Sequence, residues 1–493
     1  MLIYSRSLID ISKLTIKHLS KLIASREISS LELVEASIGK IEKLNPKLNA
    51  FISIFDQYAR RQAERADSLI KQGKYLGPLH GIPISLKDLI YIKGVRSTSG
   101  SKILADFVPD YDSTITRNLR KAGAVIIGTN NLHEFASGIT GINPHYGPSK
   151  NPWDVARMSG GSSGGSAVAV SSGMSLASIG TDTSGSIRVP SSLCGIFGLK
   201  PTYGRVSKFG VMPLAPSIDH VGPLARSAWD IAAVLKVLAG YDRHDASSAK
   251  VPVPDYLREI SSLDKIKNNN NDNNKDSSNK FKVGIPKQFF FDIIEPKVME
   301  IFREFVDRLH DCGITTTNVD VAATDKIFET WRPIRLSESA AIHNEWMISR
   351  RQDYGEDVIR MLEKGLEITA VNYINALHKW RQEIKDAFLK AMSEYDALLV
   401  PTTIIPAPFL DEKEVNIEGR TTEVYFSLSG LTTVFNINYL PSLNIPAGLV
   451  DSKLPVGVQL VGRPFDEARI LQIAYSYEQH YSLCEQFIPP AIA

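Results

Sequence analysis

The sequence predicts an α/β fold in which a large mixed β-sheet is covered by helices on both faces. Short apolar runs typical of buried strands recur along the chain, and longer segments with apolar residues at helical spacing lie between them. Alternation of this kind favours a mixed or parallel sheet layered with helices. The length of 493 residues is enough for one large fold with a substantial buried core.

The individual elements are predicted from local patterns. The strand-like runs are rich in aliphatic residues and lie at 124–127, 282–285, 397–400 and 456–461. The clearest amphipathic helix is indicated by the stripe Val298, Ile301, Phe302, Phe305 and Leu309.

The N-terminal part of the chain has a helical pattern. Ser29 and Glu32 form the sequence of a capping box, and apolar residues follow at helical spacing until Asn45 and Pro46, which we expect to end the helix. We therefore predict that residues 1–75 form a helical layer on the main body.

Residues 267–280 consist entirely of Asn, Asp, Lys and Ser. Such a composition cannot bury apolar surface, so we predict a disordered polar surface loop there. The loop divides the chain without dividing the domain, and residues 1–493 are predicted to form a single domain.

Composition limits the functional classes. Apolar residues make up 43% and charged residues 22%, and the net charge of +2 gives no electrostatic case for binding nucleic acid or an anionic membrane. Cys194, Cys312 and Cys484 lack metal-site or redox spacing, and Cys194 has apolar neighbours that favour packing over nucleophilic chemistry. With no secretion signal or membrane span recognised, we predict a cytoplasmic protein without metal or cofactor.

The strongest chemical signal is a pair of Gly/Ser-rich segments, 160–166 and 180–188, together with Lys87. Glycine-rich turns expose backbone N–H groups and reachable hydroxyls. A serine becomes a nucleophile only when a base removes its proton, and a neutral lysine can do so. Two serines and one lysine therefore indicate acyl transfer.

Two other interpretations of the first segment fit less well. A phosphate-binding loop would need a Gly-Lys-Ser/Thr end or dinucleotide-type glycine spacing, and neither is present. A nucleophile elbow centred on Ser162 would need a buried strand before it, whereas residues 150–158 are polar and contain a proline.

The chain resembles the amidase signature family, whose members carry a Ser, cis-Ser, Lys triad in a Gly/Ser-rich segment. The resemblance runs in consistent order over about residues 20–480. The stretches that carry it, besides the two Gly/Ser-rich segments, are 77–83, 123–130, 198–204 and 454–462. It implies a single amidase signature domain.

Carried over residue by residue, the resemblance implies that Ser186 is the nucleophile, Ser162 the bridging serine on a cis peptide, and Lys87 the base. The chemistry agrees, because an exposed lysine is protonated at pH 7 while burial disfavours the charged form. Residues 82–91 around Lys87 are mostly apolar, which favours such burial.

Negative charge that develops on the substrate carbonyl oxygen needs fixed donors. The candidates for this oxyanion hole are the backbone N–H groups of Thr183, Ser184, Gly185 and Ser186. The family usually has Gly-Gly-Ser where this chain has Ser184, Gly185 and Ser186, so the turn is expected to differ in detail. Ser163, Asp182 and Arg188 are predicted to support the site.

Substrate contacts are predicted in two places. The resemblance implies that the stretch containing Ala136, Ser137 and Gly138 lines the acyl pocket. In the later half, Phe435 and Tyr439 suggest an apolar or aromatic acyl pocket.

Three functions remain open. The sequence favours a stand-alone amidase acting on a small-molecule amide, as a possible homo-oligomer. The alternative is the glutaminase subunit of a tRNA-dependent amidotransferase, which typically carries an Asp that holds the amino group of glutamine. No acid follows Tyr425 in the corresponding stretch, although Glu423 lies close by. A catalytically inactive scaffold is the third function, and the complete triad argues against it.

Overall fold

The computed structural model describes residues 10–269 and 281–490, which form 13 strands and 17 α-helices. The strands are β1 (Phe51–Ile54), β2 (Pro83–Lys87), β3 (Val125–Asn130), β4 (Ala177–Asp182), β5 (Phe197–Lys200), β6 (His220–Ala225), β7 (Phe281–Pro286), β8 (Ile314–Val319), β9 (Ala397–Pro401), β10 (Glu414–Ile417), β11 (Arg420–Glu423), β12 (Ser442–Val450) and β13 (Leu454–Val461). The helices are α1 (Ile16–Ala24), α2 (Ser30–Leu48), α3 (Asp56–Lys71), α4 (Thr114–Lys121), α5 (Gly164–Ser171), α6 (Arg188–Cys194), α7 (Ala228–Leu238), α8 (Tyr256–Asn269), α9 (Pro296–Asp311), α10 (Ile327–Ser349), α11 (Glu356–Leu366), α12 (Ala370–Ile374), α13 (Arg381–Ala391), α14 (Val424–Ser429), α15 (Val434–Ile437), α16 (Glu467–Tyr481) and α17 (Leu483–Gln486).

Eleven strands form one mixed sheet in the order β1-β3-β2-β4-β6-β5-β12-β13-β9-β7-β8. Strand β2 runs parallel to both β3 and β4, and β7 runs parallel to both β8 and β9. The other neighbours in the sheet are antiparallel, and β10 and β11 form a separate hairpin. The predicted mixed α/β sheet is confirmed.

Both faces of this sheet are covered. Successive strand residues point to opposite faces, and along β9 Ala397 and Leu399 join one apolar cluster while Leu398 and Val400 join another. Helices α7, α9 and α16 contribute to the first cluster, and α10 and α13 to the second. At the other end of the sheet, α2, α3 and α5 pack in a third cluster with β3.

The N-terminal segment differs in two respects from the predicted helical layer. The capping box of Ser29 and Glu32 is present, but α2 continues to Leu48, with Pro46 in its last turn and Asn49 closing it in a left-handed conformation. Proline has a helical φ and removes only one hydrogen bond there, so it does not end the helix. In addition, residues 51–54 form β1, the edge strand of the main sheet.

The structure describes only the first three residues of the predicted loop at 267–280. Residues 267–269 belong to α8, and residues 270–280 lie outside the described part of the chain. Across residues 10–269 and 281–490, no helix combines the length and apolar character needed to cross a membrane.

Gly222 in β6 gives a test of sheet packing. A Cβ at this position would lie 2.0 Å from the carbonyl oxygen of Leu199, which cannot move without disturbing β5. We expect Gly222→Ala to lower the free energy of unfolding by about 3 kcal/mol or more. Gly39→Ala is the matched control, because nothing lies within 4 Å of that Cβ in α2. The control should raise stability by about 1 kcal/mol. Urea unfolding measures both, and equal effects would contradict the packing.

Candidate active site

The fold brings two strand ends together. Strands β2 and β4 are parallel neighbours, so their carboxyl ends lie at the same edge of the sheet. Lys87 is the last residue of β2 and Asp182 the last residue of β4. The turn that contains Ser186 follows Asp182 directly, which places it beside Lys87.

Lys87 is fully buried and contacts two hydroxyl groups. Its Nζ lies 2.7 Å from Oγ of Ser162 and 2.8 Å from Oγ1 of Thr181. A neutral amine has two N–H groups and one lone pair, so it can donate to one hydroxyl while accepting from the other. This arrangement suits a base that takes a proton from Ser162.

The protonation of Lys87 follows from its surroundings. Burial disfavours the ammonium form, and although the carboxylates of Asp182 and Asp219 act in the opposite direction, the pKa of Lys87 falls to about 7. A substantial fraction of the side chain is therefore neutral at physiological pH.

The segment around Ser162 is fixed by backbone contacts. The Gly161–Ser162 peptide is cis, as the family resemblance implies. The Ser163 hydroxyl donates to the carbonyl of Thr181, and the Ser163 N–H donates to the carbonyl of Ser186 at 3.2 Å. Ser163 thus connects the Ser162 segment both to β4 and to the turn with Ser186.

A buried ion pair shapes that turn. The carboxylate of Asp182 accepts hydrogen bonds from the backbone N–H groups of Gly185 at 2.8 Å and Ile187 at 3.0 Å, and from Arg188 through Nη2 at 2.9 Å and Nε at 3.1 Å. Both charged side chains are fully buried. Burial alone would raise the pKa of Asp182, but Arg188 holds that pKa well below its usual range.

Arg188 also connects the turn to the second half of the chain. Its Nη1 donates to the carbonyl of Thr432 and to the side-chain oxygen of Gln459, and its Nη2 donates to Asn436. Ser163, Asp182 and Arg188, which we predict to support the site, therefore all hydrogen-bond to residues of this turn or to one another.

The four predicted oxyanion-hole donors are not equivalent. The N–H of Gly185 already donates to Asp182, so it is committed to the turn. Of the described residues, none accepts a hydrogen bond from the N–H groups of Thr183, Ser184 and Ser186, which leaves these three as candidates.

The structure also explains why a serine is accommodated at position 184. Gly185 has φ of 123°, whereas Ser184 does not have a positive φ, so only Gly185 needs the freedom of glycine. The Ser184 hydroxyl accepts a hydrogen bond from Nε1 of Trp331 at 2.8 Å, and its carbonyl accepts one from Oγ1 of Thr432.

A cavity of about 430 Å³ lies beside these residues. Residues 183–187, which carry Ser186, form the candidate catalytic turn. Ala136, Thr181 and Thr183 connect the cavity to this catalytic turn and to Lys87. Its remaining wall is mainly apolar with several polar side chains: Tyr203, Lys208, Phe209, Val211, Met212, Pro213, Leu214, Pro216, Ser217, Asp219, His220, Val221, His244, Asp245, Ala246 and Ser247.

The predicted substrate residues of the 136–138 stretch lie on or next to this wall. Ala136 lines the cavity. The buried Ser137 hydroxyl accepts a hydrogen bond from Nη2 of Arg335 at 2.8 Å. Gly138 packs so closely on His133 that a Cβ would lie 2.2 Å from its ring.

The two predicted aromatic substrate residues do not line this cavity. Phe435 is fully buried in the apolar core, because α15 directs its ring onto Phe290, with 5.8 Å between the ring centres and 5° between the planes. Tyr439 lies one layer behind the wall, stacked at 4.3 Å on Tyr203, which does line it. Its hydroxyl accepts a hydrogen bond from Arg381.

Sequence reasoning missed several residues of the site. Thr181 lies within the Gly/Ser-rich segment, and its place directly before Asp182 at the end of a strand could have identified it. Trp331 and Arg335 gave no such signal, because their partners lie about 150 and 200 residues away in the chain. Cys194 is buried in the core and burial raises the pKa of its thiol, so it is unsuited to nucleophilic attack.

A large mixed sheet with a buried Lys–Ser pair beside a Gly/Ser-rich turn defines a class of protein, the α/β enzymes that cleave amide bonds. The family model described as Amidase matches residues 32–471. The chain belongs to this family, and it is a hydrolase acting on amides.

Individual relatives show how far the similarity extends. The chain is 35% identical to a glutamyl-tRNA(Gln) amidotransferase subunit of Sulfurihydrogenibium sp. (strain YO3AOP1), over 95% of this chain and 97% of the relative. It is similar to the crystal structure of an amidase, with a TM-score of 0.84 and 31% identity over 95% of this chain and all of the other. It is also similar to the crystal structure of the corresponding glutamyl-tRNA(Gln) amidotransferase subunit from Thermotoga maritima, with a TM-score of 0.78 and 32% identity over 96% and 95% of the two chains.

Gly185 and Ser184 give a paired test of the turn. A Cβ on Gly185 would lie 2.2 Å from Oγ1 of Thr432, at a φ that side chains avoid. We expect Gly185→Ala to lower kcat by about 100-fold or more, since a displaced oxyanion donor has an effect of that size. Ser184→Gly restores the residue usual in the family and should keep most of the activity, while losing about 1 kcal/mol of stability with the Trp331 hydrogen bond. Steady-state kinetics and thermal unfolding separate the two effects, and full activity in Gly185→Ala would contradict this geometry.

Proposed function

We propose that the chain hydrolyses an amide through an acyl-enzyme on Ser186, with Ser162 as proton relay and Lys87 as base. The observation that carries the proposal is the 2.7 Å contact between the buried Lys87 Nζ and the Ser162 hydroxyl. A lysine whose pKa has fallen to about 7 can accept a proton without a histidine or a metal.

In the first half of the reaction, Ser186 Oγ bonds to the carbonyl carbon while its proton passes to Ser162, and the Ser162 proton passes to Lys87. The N–H groups of Thr183, Ser184 and Ser186 stabilise the oxyanion. The C–N bond then breaks, and the leaving nitrogen takes a proton back through Ser162. In the second half, water attacks the acyl-enzyme by the same relay and releases the acid.

A second candidate is the glutaminase subunit of a tRNA-dependent amidotransferase, which would act with partner subunits. The specific observation in its favour is the name of the curated relatives at 35–37% identity, which cover 94% or more of this chain. These relatives favour the amidotransferase over a stand-alone amidase.

The lack of an acidic residue after Tyr425 does not exclude glutamine as the substrate. Glu423 is exposed at the start of α14, but the cavity wall holds two other carboxylates, Asp219 and Asp245. Asp219 already accepts hydrogen bonds from Oγ1 of Thr183 and from the N–H groups of Leu214 and Ala215. A carboxylate can accept up to about four such bonds, so capacity for an ammonium group remains.

Ammonia release from a panel of amides separates the candidates. The purified chain is assayed with aliphatic amides, aromatic amides and glutamine, with Ser186→Ala as the blank. Turnover of simple amides without glutamine would establish a stand-alone amidase. Turnover of glutamine alone, or activity that needs added partner subunits, would establish the second candidate. Undiminished turnover in Ser186→Ala would refute the assigned nucleophile.

The pH dependence tests the base. Because the neutral form of Lys87 is the active one, kcat/KM should rise with pH through about 7 and level off above it. Lys87→Arg should lower activity by at least about 1,000-fold, since arginine stays protonated. A rate that increases only near pH 10 would mean that Lys87 keeps the pKa of an exposed lysine.

A further inference from the structure

One face of helix α10 lies against the catalytic turn and the cavity wall. Trp331, Arg335 and Ser339 are four residues apart, so they share this face. Trp331 donates to the hydroxyl of Ser184 in the catalytic turn, and Ser339 donates to the carbonyl of Leu214 in the cavity wall. Arg335 therefore lies one helical turn from the contact with the catalytic turn and one from the contact with the cavity wall.

Arg335 is buried without enough partners for its charge. Its side chain is 1% exposed, and Nη2 donates to the Ser137 hydroxyl. Among the residues that the structure describes, Nη1 has no hydrogen-bond acceptor, and no carboxylate forms a salt bridge with this guanidinium.

The charged and titratable groups that act on Arg335 do not replace such a partner. They are the carboxylate of Asp219, the phenol of Tyr425 and the imidazole of His343, whose pKa burial and Arg335 both lower. The oxygens of Asp219 already accept hydrogen bonds from Thr183, Leu214 and Ala215. Burial lowers the pKa of Arg335, yet a guanidinium remains protonated in proteins, so the positive charge persists.

Arg188, the other buried arginine near the catalytic turn, has the full set of partners expected of a structural residue. Arg188 has an acidic partner, Asp182, and its Nη groups also donate to Thr432, Gln459 and Asn436. A buried charge without a matching acid is costly unless a ligand supplies one. Arg335 has this unmet requirement one helical turn from Trp331, which bonds to the catalytic turn.

We propose that Arg335 binds a carboxylate of the substrate, so the substrate class is an amide that also carries an ionised carboxyl group. This inference rests on the proposed amide hydrolysis and adds the chemistry of the acyl part. The carboxylate would accept hydrogen bonds from Nη1, and the Ser137 hydroxyl would hold Nη2 in place.

Matched pairs of amides test the inference. Succinamate is compared with butanamide, and glutaramate with pentanamide, because each pair differs only by a carboxylate in place of a methyl group. The wild-type chain should prefer the carboxylate in at least one pair by about 10-fold or more in kcat/KM, as expected for a hydrogen bond to a charged group. In Arg335→Met the ratio should fall to about 1, mainly through KM. Glutamine in the same series shows whether an added ammonium group is accepted.

Arg226→Met is the matched control for removing a buried arginine. Its Nη groups donate to the backbone carbonyls of Ile11 and Cys484, away from the catalytic turn. This control should lower the melting temperature and keep the carboxylate preference. Arg335→Met should keep or raise the melting temperature, because it removes an unpaired buried charge.

If the chain needs partner subunits for turnover, the inference is tested by ligand binding instead of by kinetics. Glutarate should raise the melting temperature of the wild-type chain and of Ser186→Ala, but not that of Arg335→Met. Equal rates within both amide pairs together with no glutarate effect would overturn the inference. If carboxylated amides are preferred but Ser186→Ala is equally active, the proposed nucleophile fails and the role of Arg335 stands.

Discussion

The site depends on the buried pair of Asp182 and Arg188. Asp182 ends a central strand, and its carboxylate gathers the backbone N–H groups of the following turn, which carries Ser186. Arg188 neutralises that carboxylate and extends to residues more than 240 positions later in the chain. Removing one partner of such a pair would leave an isolated charge in the core, at a cost of about 3–5 kcal/mol. The same contact therefore shapes the turn and joins the two halves of the chain.

Burial has opposite consequences for the two charged groups at the ends of β2 and β4. Asp182 has a cation in direct contact, so it remains ionised although it is fully buried. Lys87 makes its hydrogen bonds to hydroxyl groups, so desolvation outweighs the more distant carboxylates and its pKa falls to about 7. The same desolvated site thus holds both the Asp182 carboxylate, which supports the turn, and the Lys87 amine, which can act as a base. The difference lies in the side chains that touch each group.

The sequence predicts those parts of the molecule whose determinants are local. Strands β3, β7, β9 and β13 follow from short apolar runs, and the assignment of Lys87, Ser162 and Ser186 rests on motifs whose order matches the family. Pro46 was expected to end α2, but in a last turn it removes only one hydrogen bond. Phe435 was assigned to a pocket on its aromatic character, whereas the direction of α15 places it in the core. Trp331 and Arg335 could not be predicted, because their partners come from distant segments that only the fold brings together.

The residues assigned to the reaction and the residues that line the cavity lie in different segments of the chain. The groups to which we assign proton transfer and oxyanion binding lie between residues 87 and 188, on strand ends and turns fixed by the central sheet. The remaining wall of the cavity comes from residues 203–221 and 244–247, and α10 contacts the catalytic turn through a tryptophan hydrogen bond. Side chains on these outer segments can change without disturbing the Asp182–Arg188 pair. Chains with similar folds can then act on different amides, as the different names of the similar structures suggest. The fold and the motifs therefore identify the class of reaction, while the choice of amide is what we propose to assign to a few buried side chains such as Arg335.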